Sequence, residues 1–329
     1  MAVTRSCDQR GVALLTVLLL VAVMSVLVMA LLDDVRFSVR RAGNAQALSQ
    51  AQWQALGAES LARVQLARLA ARDPARTTLA GGWNNRPLVF PVEGGVLRAR
   101  LGDGTACFNL NAVVAGAGDY LVRHDAGVAQ YRALLSRLDV DERRAVQLAD
   151  VLVDWLDSDP ATSPVGAEDD AYALGAGGYL TGNTLLAEPS ELRALRGYDT
   201  ATYSLLRPHV CALPIAGATP INVNTLGGDD WRLVSMLADG ALGPDEARAV
   251  IASRPADGWR EIAAFTAQPA FADHPVSADA LANLSLRSRY FRLRVETEHG
   301  DAQAVLDTLI EQDAGGGTRP VARRWTRDE

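Results

Sequence analysis

The stretch RGVALLTVLLLVAVMSVLVMALL (residues 10–32) decides the architecture of this chain. Its apolar run from Val12 to Leu32 contains no charged residue and two polar ones, Thr16 and Ser25. As a helix, a run of that length covers about 31 Å, enough to cross the hydrocarbon core of a bilayer. A conventional signal peptide has a shorter apolar core and a small-residue cleavage site. The sequence therefore predicts one membrane-spanning helix near the N-terminus.

The same helix is predicted to continue well beyond the membrane. No proline occurs before Pro74, and residues 35–72 are rich in the good helix formers Ala, Leu, Gln and Arg. The larger apolar residues of this half fall loosely on one helical face, which predicts an amphipathic segment; they are Trp53, Leu56, Leu61 and Val64. The whole helix would be roughly 90 Å long. An apolar first half followed by an amphipathic second half is the shape of a pilin spine, and an ordinary single-span anchor with a helical stalk is the alternative.

Composition excludes several classes of function. The chain has 329 residues, 49% of them hydrophobic and 22% charged, which indicates a globular protein of two or three domains. All 32 basic residues are arginine, so lysine-dependent Schiff bases and P-loops are ruled out. The net charge of −7 argues against a large nucleic-acid surface. Four scattered histidines and the lack of a nucleophile motif predict a protein that is not an enzyme.

Alternating apolar patterns at the two ends of the remaining chain predict a small sheet. Strand-like stretches with glycine turns occur at 88–92 and 95–101, and a hairpin around Gly300-Asp301 joins 290–297 to 302–310. Helical periodicity fills the region between them. The predicted fold class is therefore α+β, with a long N-terminal helix, a small antiparallel sheet and a large helical insertion.

The insertion contains an internal repeat. The sequence FNLNAV at 108–113 is echoed by INVNTL at 221–226, 113 residues later. Helical periodicity follows each copy, and asparagine or threonine before such a run can cap the helix. The repeat predicts two helical modules that begin in the same way.

The residues around the apolar run also carry a family resemblance. RGVALLTVL at 10–18 resembles the prepilin-peptidase site of type II secretion pseudopilins. The resemblance implies cleavage after Gly11, with Val12 as the mature N-terminus. Most of these proteins have glutamate at the fifth mature position, where this chain has Thr16. That departure is typical of the general secretion pathway protein K family, the type II secretion system minor pseudopilin K.

The resemblance covers roughly residues 10–310 and implies a pilin-like α/β domain interrupted by two SAM/helix-hairpin-helix-like modules. The implied divisions are a prepilin leader (1–11), a transmembrane and assembly helix (12–32), a pilin-like helix with the first strands (33–106), a first helical module (107–220), a second helical module (221–286), closing strands (287–312) and a flexible tail (313–329).

The implied function is a minor pseudopilin that caps the tip of the periplasmic pseudopilus and helps to initiate its assembly for protein export. The implied partners are the minor pseudopilins of types I and J, inner-membrane type II secretion assembly proteins and the prepilin peptidase. The implied location is the bacterial inner membrane, with a single span and the bulk of the chain in the periplasm. A type IV pilus minor pilin or assembly protein is the alternative.

The second copy of the repeat raises a further alternative, a membrane-anchored DNA receptor. Its INVNT start, with Arg254 and Trp259 downstream, resembles the helix-hairpin-helix modules of competence-type DNA receptors. Those modules bind phosphate through a glycine turn between two helices. The matching stretch at 238–246 lacks a Gly-x-Gly turn and has acids where bases are expected, so we expect the fold without the phosphate chemistry.

An acidic segment at 154–170 is a candidate calcium site. It holds six carboxylates in 17 positions and is broken by two prolines, and calcium takes six to eight oxygen ligands. It departs from an EF-hand at Ala161 and Thr162, and a solvated acidic loop that caps helices is the alternative. Calcium in the helical modules of the resembling family favours a site. The candidate ligands are Asp157, Asp159, Glu168, Asp169 and Asn183, with Glu188 and Glu191 as weaker ones.

The cysteines offer one possible disulfide. Cys7 lies in the predicted leader, which leaves Cys107 and Cys211 in the mature chain. An even pair in an exported protein suggests a bridge, and two buried free thiols are the alternative.

Overall fold

The computed structural model describes residues 10–173 and 178–325. The first helix, α1, runs from Arg10 to Arg72 without a break. The helices that follow are α2 (Asp125–Ser136), α3 (Glu142–Leu156), α4 (Asp169–Ala173), α5 (Thr200–Leu206), α6 (Trp231–Leu237), α7 (Pro244–Ala252), α8 (Ile262–Thr266) and α9 (Ala278–Asn283). The strands are β1 (Arg86–Val92), β2 (Gly95–Asp103), β3 (Phe108–Asn109), β4 (Val114–Ala117), β5 (Tyr120–Arg123), β6 (Val210–Cys211), β7 (Ile221–Asn222), β8 (Leu284–Ser285), β9 (Tyr290–His299), β10 (Ala302–Gln312) and β11 (Thr318–Arg324).

The main sheet has five antiparallel strands in the order β1-β2-β9-β10-β11. The hairpin of β9 and β10 turns at Gly300-Asp301, and its register places Ala302 opposite His299. The second half of α1 packs across one face of this sheet. The long helix, the small antiparallel sheet and the helical insertion between β2 and β9 confirm the predicted fold class. We call α1 beyond residue 50 together with the sheet the helix–sheet unit.

The face of α1 that meets the sheet is not the one predicted. The buried positions recur every three or four residues and carry mostly alanine; they are Ala51, Ala55, Ala58, Ala62 and Leu66. Trp53 and Leu61 are instead 68% exposed, and Val64 is 49% exposed. Small side chains let the helix backbone lie close to the strands, where Leu97, Leu293 and Leu306 supply the bulk. Of the four predicted residues only Leu56 packs, partly buried, against this core, because the prediction followed side-chain size.

The predicted flexible tail at 313–329 is wrong in its central part. Residues 318–324 form β11, which pairs with β10. Arg323 holds this strand to α1 through an ion pair with the buried Glu59, at 2.7 Å from Nε to Oε2. Arg319 pairs with Glu311 of β10 at 2.5 Å. Ion pairs hold β11 in place, so an apolar sequence pattern could not predict it. Residues 326–329 lie outside the described residues.

The insertion is mostly helical, with three short ladders between β3 and β6, β4 and β5, and β7 and β8. Its buried side chains form one continuous core that includes residues from both modules. Helices α2 and α6 contact each other, so the two modules pack side by side. The chain enters this insertion directly from β2 and returns directly to β9, so the sheet and the insertion share a joint.

Candidate functional site

The N-terminal apolar run of α1, from Val12 to Leu32, is exposed along its whole length in the part of the chain that the structure describes. Within the described residues, α1 is the helix that is long and apolar enough to cross a membrane, and none of its most apolar window is buried. The hydroxyl of Thr16 donates to its own helix at the Ala13 carbonyl, 2.9 Å away. Gly11 and Val12, which flank the predicted cleavage point, lie in the first turn of α1. The rest of the predicted leader, residues 1–9, lies outside the described residues, as does Cys7.

The acidic segment begins where α3 ends. Asp154 lies in the last turn of α3, and Asp157 follows the helix directly. Both are buried, as is Glu168, which reaches the same region from the loop before α4. The backbone N–H of Ser163 donates to both carboxylate oxygens of Asp154, at 3.1 Å each. The loop between Asp157 and Glu168 therefore folds back over the end of the helix.

These carboxylates repel one another. The pKa of Asp157 is raised to about 7, first by burial and then by the charge of Asp159. The charges of Asp154 and Glu168 raise it further, and Arg123 offsets part of the effect. Burial raises the pKa of Asp154, against the hydrogen bonds from Ser163, and burial followed by the charge of Asp154 raises the pKa of Glu168. Without a cation, several negative charges compete for one partly buried space.

Two buried oxygens in the cluster have no hydrogen-bond partner. They are Oδ1 of Asp157 and Oε1 of Glu168. A buried carboxylate oxygen without a partner is costly, and a hard cation would satisfy it. Gly166 leaves space here, because a Cβ at that position would lie 1.9 Å from Oδ2 of Asp154. The residues fit a calcium ion, although in the described chain no three acidic, histidine or cysteine side chains already form a metal cluster.

The remaining candidate ligands are less well placed. Asp159 is exposed, and its Oδ1 accepts the Ala161 N–H at 2.9 Å. Oδ1 of Asp169 accepts the hydroxyl of Thr181 at 2.6 Å, which together with the backbone N–H of Thr181 lowers the pKa of Asp169. Asn183 is exposed in the left-handed region at φ 45°, and its N–H donates to Trp155. The structure thus joins Asp157, Asp159 and Glu168 electrostatically and leaves Asn183 at the margin.

The two weaker candidates have other roles. The carboxylate of Glu191 accepts the backbone N–H of Ala187 at 2.7 Å and that of Glu188 at 2.9 Å. Glu188 forms an ion pair with Arg324 of β11 at 2.7 Å. Asp154, by contrast, was missing from the predicted ligands. Its spacing of three residues before Asp157 near the end of one helix was the signal that would have included it.

The two copies of the repeat form matching buried clamps. In the first copy, the Asn109 amide donates to the carbonyls of Ile215 and Ala218, at 2.9 and 2.8 Å. Asn111 binds both the N–H and the carbonyl of Leu186. Asn109 also accepts the N–H of Asn111, two residues on. The amides of Asn109 and Asn111 are buried and satisfied, so the repeat fixes distant loops as well as capping the turn that follows it.

The second copy repeats the geometry with different partners. Asn224 binds the N–H and the carbonyl of Trp259, at 2.6 and 3.0 Å. Asn222 donates to the carbonyl of Thr77, at 2.8 Å, and to the hydroxyl of Ser288, at 2.9 Å. Thr77 and Ser288 lie outside the second module. Asn222 therefore ties this module to the end of the helix–sheet unit.

The structure joins Cys107 and Cys211 in a disulfide, with their Cα atoms 5.7 Å apart. The short parallel ladder of β3 and β6 brings them together, because it pairs Asn109 with Cys211. The bridge closes the first module at its two ends.

The hairpin between α6 and α7 has the helix-hairpin-helix shape without a free anion site. Asp239 and Gly240 make the turn, both with positive φ. The carboxylate of Glu246 accepts the N–H of Gly243 at the start of α7, at 2.8 Å. A side-chain anion thus occupies the position where a phosphate would bind.

Comparisons with known proteins agree with this architecture. Two family models, both described as Type II secretion system (T2SS), protein K, match residues 106–215 and 221–287. A type II secretion system protein K from Aeromonas hydrophila is 38% identical over 309 residues, covering 92% of each chain. One from Klebsiella pneumoniae is 38% identical over 327 residues, covering 98% of this chain and 99% of its own.

A solved structure is also similar. It is a chain of the crystal structure of the GspK–GspI–GspJ complex from the type 2 secretion system of enterotoxigenic Escherichia coli. It matches with a TM-score of 0.76 and 32% identity, covering 88% of this chain and all of that one.

Proposed function

The chain belongs to the type II secretion system protein K family and is a minor pseudopilin, and we propose that it caps the tip of a periplasmic pseudopilus and helps to start its assembly. In this proposal it is a structural subunit and not an enzyme. Its apolar helix half is the inner-membrane anchor before assembly and a packing surface afterwards. The remainder of the chain lies in the periplasm.

The observation that carries the tip position is the covered end of α1. Just beyond α1, the N–H of Thr77 donates to the carbonyl of Leu286 at 2.9 Å. Asn222 holds the carbonyl of Thr77, and Arg76 donates to the carbonyl of Asp257 at 3.2 Å. The second module therefore lies over the end of the helix that is farthest from the membrane. A subunit stacked above in a filament would meet this module instead of the helix end.

The mature N-terminal region supports the same position. A glutamate at the fifth mature position would need a partner for its charge inside a helix bundle. Thr16 needs none, because its hydroxyl is satisfied within its own helix. A subunit without that carboxylate has no such demand on a neighbour, which suits the last position in a filament.

The partners follow from the solved relative. That structure is a complex of GspK with GspI and GspJ. We extend this to the present chain, with minor pseudopilins of types I and J as neighbours and inner-membrane type II secretion proteins as assembly partners. Processing by the prepilin peptidase after Gly11 belongs to the same proposal. Mass spectrometry of chain expressed with and without the peptidase should give Val12 as the first residue only when the peptidase is present.

An epitope inserted in the exposed loop at 272–275 tests the tip position. In cells that overproduce the major pseudopilin, labelled antibody should mark one end of each pseudopilus. Label distributed along the filament would refute the cap, and a chain that copurifies with no pseudopilin would refute the assembly role.

Calcium binding in the first module is a separate part of the proposal, supported by the unsatisfied oxygens of Asp157 and Glu168. A ligand at 100 times its Kd stabilises a protein by about 2.7 kcal/mol, which amounts to several degrees of melting temperature. We expect calcium, compared with chelator, to give such a rise for the full chain in detergent. Glu168→Gln should abolish the rise, whereas Glu261→Gln on the exposed second module should keep it. An equal rise in both variants would place any bound calcium elsewhere.

A further inference from the structure

The joint between the second module and the helix–sheet unit is organised around one carboxylate. Asp103, the last residue of β2, accepts hydroxyls from Ser288, at 2.7 Å, and from Thr225. Its other oxygen accepts the N–H and the hydroxyl of Thr105, at 2.7 Å each. Thr225 belongs to the second module, and Ser288 belongs to the segment that returns to β9. A single side chain therefore fastens three segments of the chain together.

A second carboxyl group lies within electrostatic reach of the first. Asp230 accepts the N–H of Gly227 at 2.7 Å, and Gly227 follows Thr225 by two residues. The charges of Asp103 and of the exposed Asp229 both act on Asp230. The short segment from Thr225 to Gly227 thus donates a hydroxyl to one carboxyl group and an N–H to the other.

The arginines of the adjoining segments bind other groups. Arg254, just after α7, donates to a backbone carbonyl at 2.7 Å. Arg289, next to β9, pairs with Glu311, and Arg292 of β9 pairs with Asp307. In the described chain, hydrogen bonds and not ion pairs therefore balance the negative charge at the joint.

Burial raises the pKa of both carboxyl groups. The pKa of Asp230 is raised to about 6, first by burial and then by the charges of Asp103 and Asp229. Burial also raises the pKa of Asp103, against the hydrogen bonds that its hydroxyl partners donate. The folded-state pKa of Asp230 lies above its ordinary value of 3.8. Its contribution to stability is therefore complete below pH 3.8 and is lost as the pH rises through about 6.

We propose that the joint is a proton-dependent clasp, in which one proton on the carboxyl pair of Asp103 and Asp230 holds the second module tightly on the helix–sheet unit. Two negative charges in a partly buried space repel each other. A proton on Asp230 removes this repulsion and leaves Asp103 ionised to accept its hydroxyl donors. The second module lies over the distal end of α1, so the clasp determines how firmly that end is covered.

Hydrogen exchange of the full chain in detergent, corrected for the intrinsic effect of pH on exchange rates, tests the clasp. Between pH 5.5 and pH 7.5, exchange in residues 222–230 and 286–288 should rise about fivefold, because Asp230 loses its proton in this range. Exchange in the centre of β9, at residues 293–297, should change by less than about twofold, since the clasp does not bind there. Exchange at the joint that does not depend on pH, or an equal rise in β9, would overturn the proposal.

Two neighbouring aspartates give matched variants. Asp230→Asn keeps an acceptor for the N–H of Gly227 and cannot ionise, so its joint should exchange slowly at both pH values. Asp229→Asn removes an exposed carboxyl group and should retain the rise. A rise of equal size in the two variants would overturn the proposal, and unchanged exchange in β9 shows that each variant is folded.

A third variant tests the part of Asp103. Thr225→Val keeps the shape of the side chain and removes the hydroxyl that joins Asp103 to the second module. Losing one hydrogen bond of this kind costs about 1 kcal/mol, so exchange at the joint should already be about fivefold faster at pH 5.5. An unchanged rate at that pH would show that Asp103 does not hold the second module, and the clasp would be overturned.

Discussion

The first and second modules begin with the same asparagine pair, but the pairs hold different parts of the molecule. Asn109 and Asn111 bind carbonyls within the first module or at its end, all between Leu186 and Ala218. Asn222 instead reaches Thr77, just beyond α1, and Ser288, just before β9. The same local geometry closes one module on itself and fastens the other to the helix–sheet unit.

The two modules also differ in how their acidic side chains are satisfied. In the first module, Asp154 at the end of α3 lies near Asp157 and Glu168 of the following loop, and the last two leave an oxygen each unsatisfied. At the joint of the second module, the half-buried Asp103 of β2 accepts hydroxyls from Ser288, at 2.7 Å, and from Thr225. The first set suits a cation, whereas the second set is satisfied by the protein. In the proposed function the first module binds the ion, whereas the second connects the insertion to the helix–sheet unit.

Loss of the disulfide should have the largest effect, and only on the first module. Cys107 and Cys211 are 104 residues apart, and removing a crosslink over a loop of that size costs about 4 kcal/mol. We expect Cys107→Ala with Cys211→Ala to make residues 107–220 sensitive to limited proteolysis while residues 221–286 stay resistant. Equal sensitivity of both modules would show that they unfold as one unit.

Replacing one asparagine of each pair should come next in size. Asn222→Ala leaves the carbonyl of Thr77 buried without its donor and should cost about 3 kcal/mol. Hydrogen exchange should then rise at residues 73–80 and 286–288. Asn109→Ala is the matched control: it should cost about as much, yet leave exchange in those two segments unchanged. An increase there in both variants would contradict the separate roles of the two pairs.

The sequence predicted those features of the fold that depend on periodicity. The end of α1 near residue 72, the strands around residues 88–101 and 290–310, and the repeat itself were all visible as patterns. The buried alanine face of α1 was not predicted, because the choice by side-chain size favours Trp53 over Ala55, whichever of them contacts the sheet. Strand β11 was not predicted, because the ion pair of Arg323 with Glu59 decides its position.

The candidate calcium site was predicted by composition and only partly by position. Counting carboxylates points to this loop, since acidic density is a sequence property, and the structure buries Asp157 and Glu168 in it. The path of the loop decides which carboxylates converge. The N–H of Ser163 donates to Asp154, while the hydroxyl of Thr181 donates to Asp169. Asp154 was not among the predicted ligands. It belongs to α3, and the sequence does not show that the following loop folds over the end of that helix.

A carboxylate removed from the first module should have an effect that depends on calcium. Burial and repulsion raise the pKa of Asp157 to about 7, so Asp157→Asn should stabilise the chelator-treated protein by about 2 kcal/mol at pH 7. The same variant should lose most of the stabilisation by calcium. Denaturant unfolding in detergent, with calcium and with chelator, measures both. A loss of stability in chelator would mean that the charge has a partner in the protein.

A carboxylate removed from the second module should have the smallest effect, and calcium should not change it. The pKa of Asp230 is raised to about 6, chiefly by burial, from its ordinary value of 3.8. A raised folded-state pKa gives stability that is fully present below 3.8 and is lost as pH rises through about 6. Asp230→Asn keeps an acceptor for the N–H of Gly227 and removes that loss, so it should add about 1 kcal/mol at pH 7. Unfolding measured from pH 4 to pH 7 should show a flatter profile for the variant, identical with calcium and with chelator. A calcium-dependent difference at Asp230 would mean that the second module also binds the ion, and the division between a binding and a connecting module would fail.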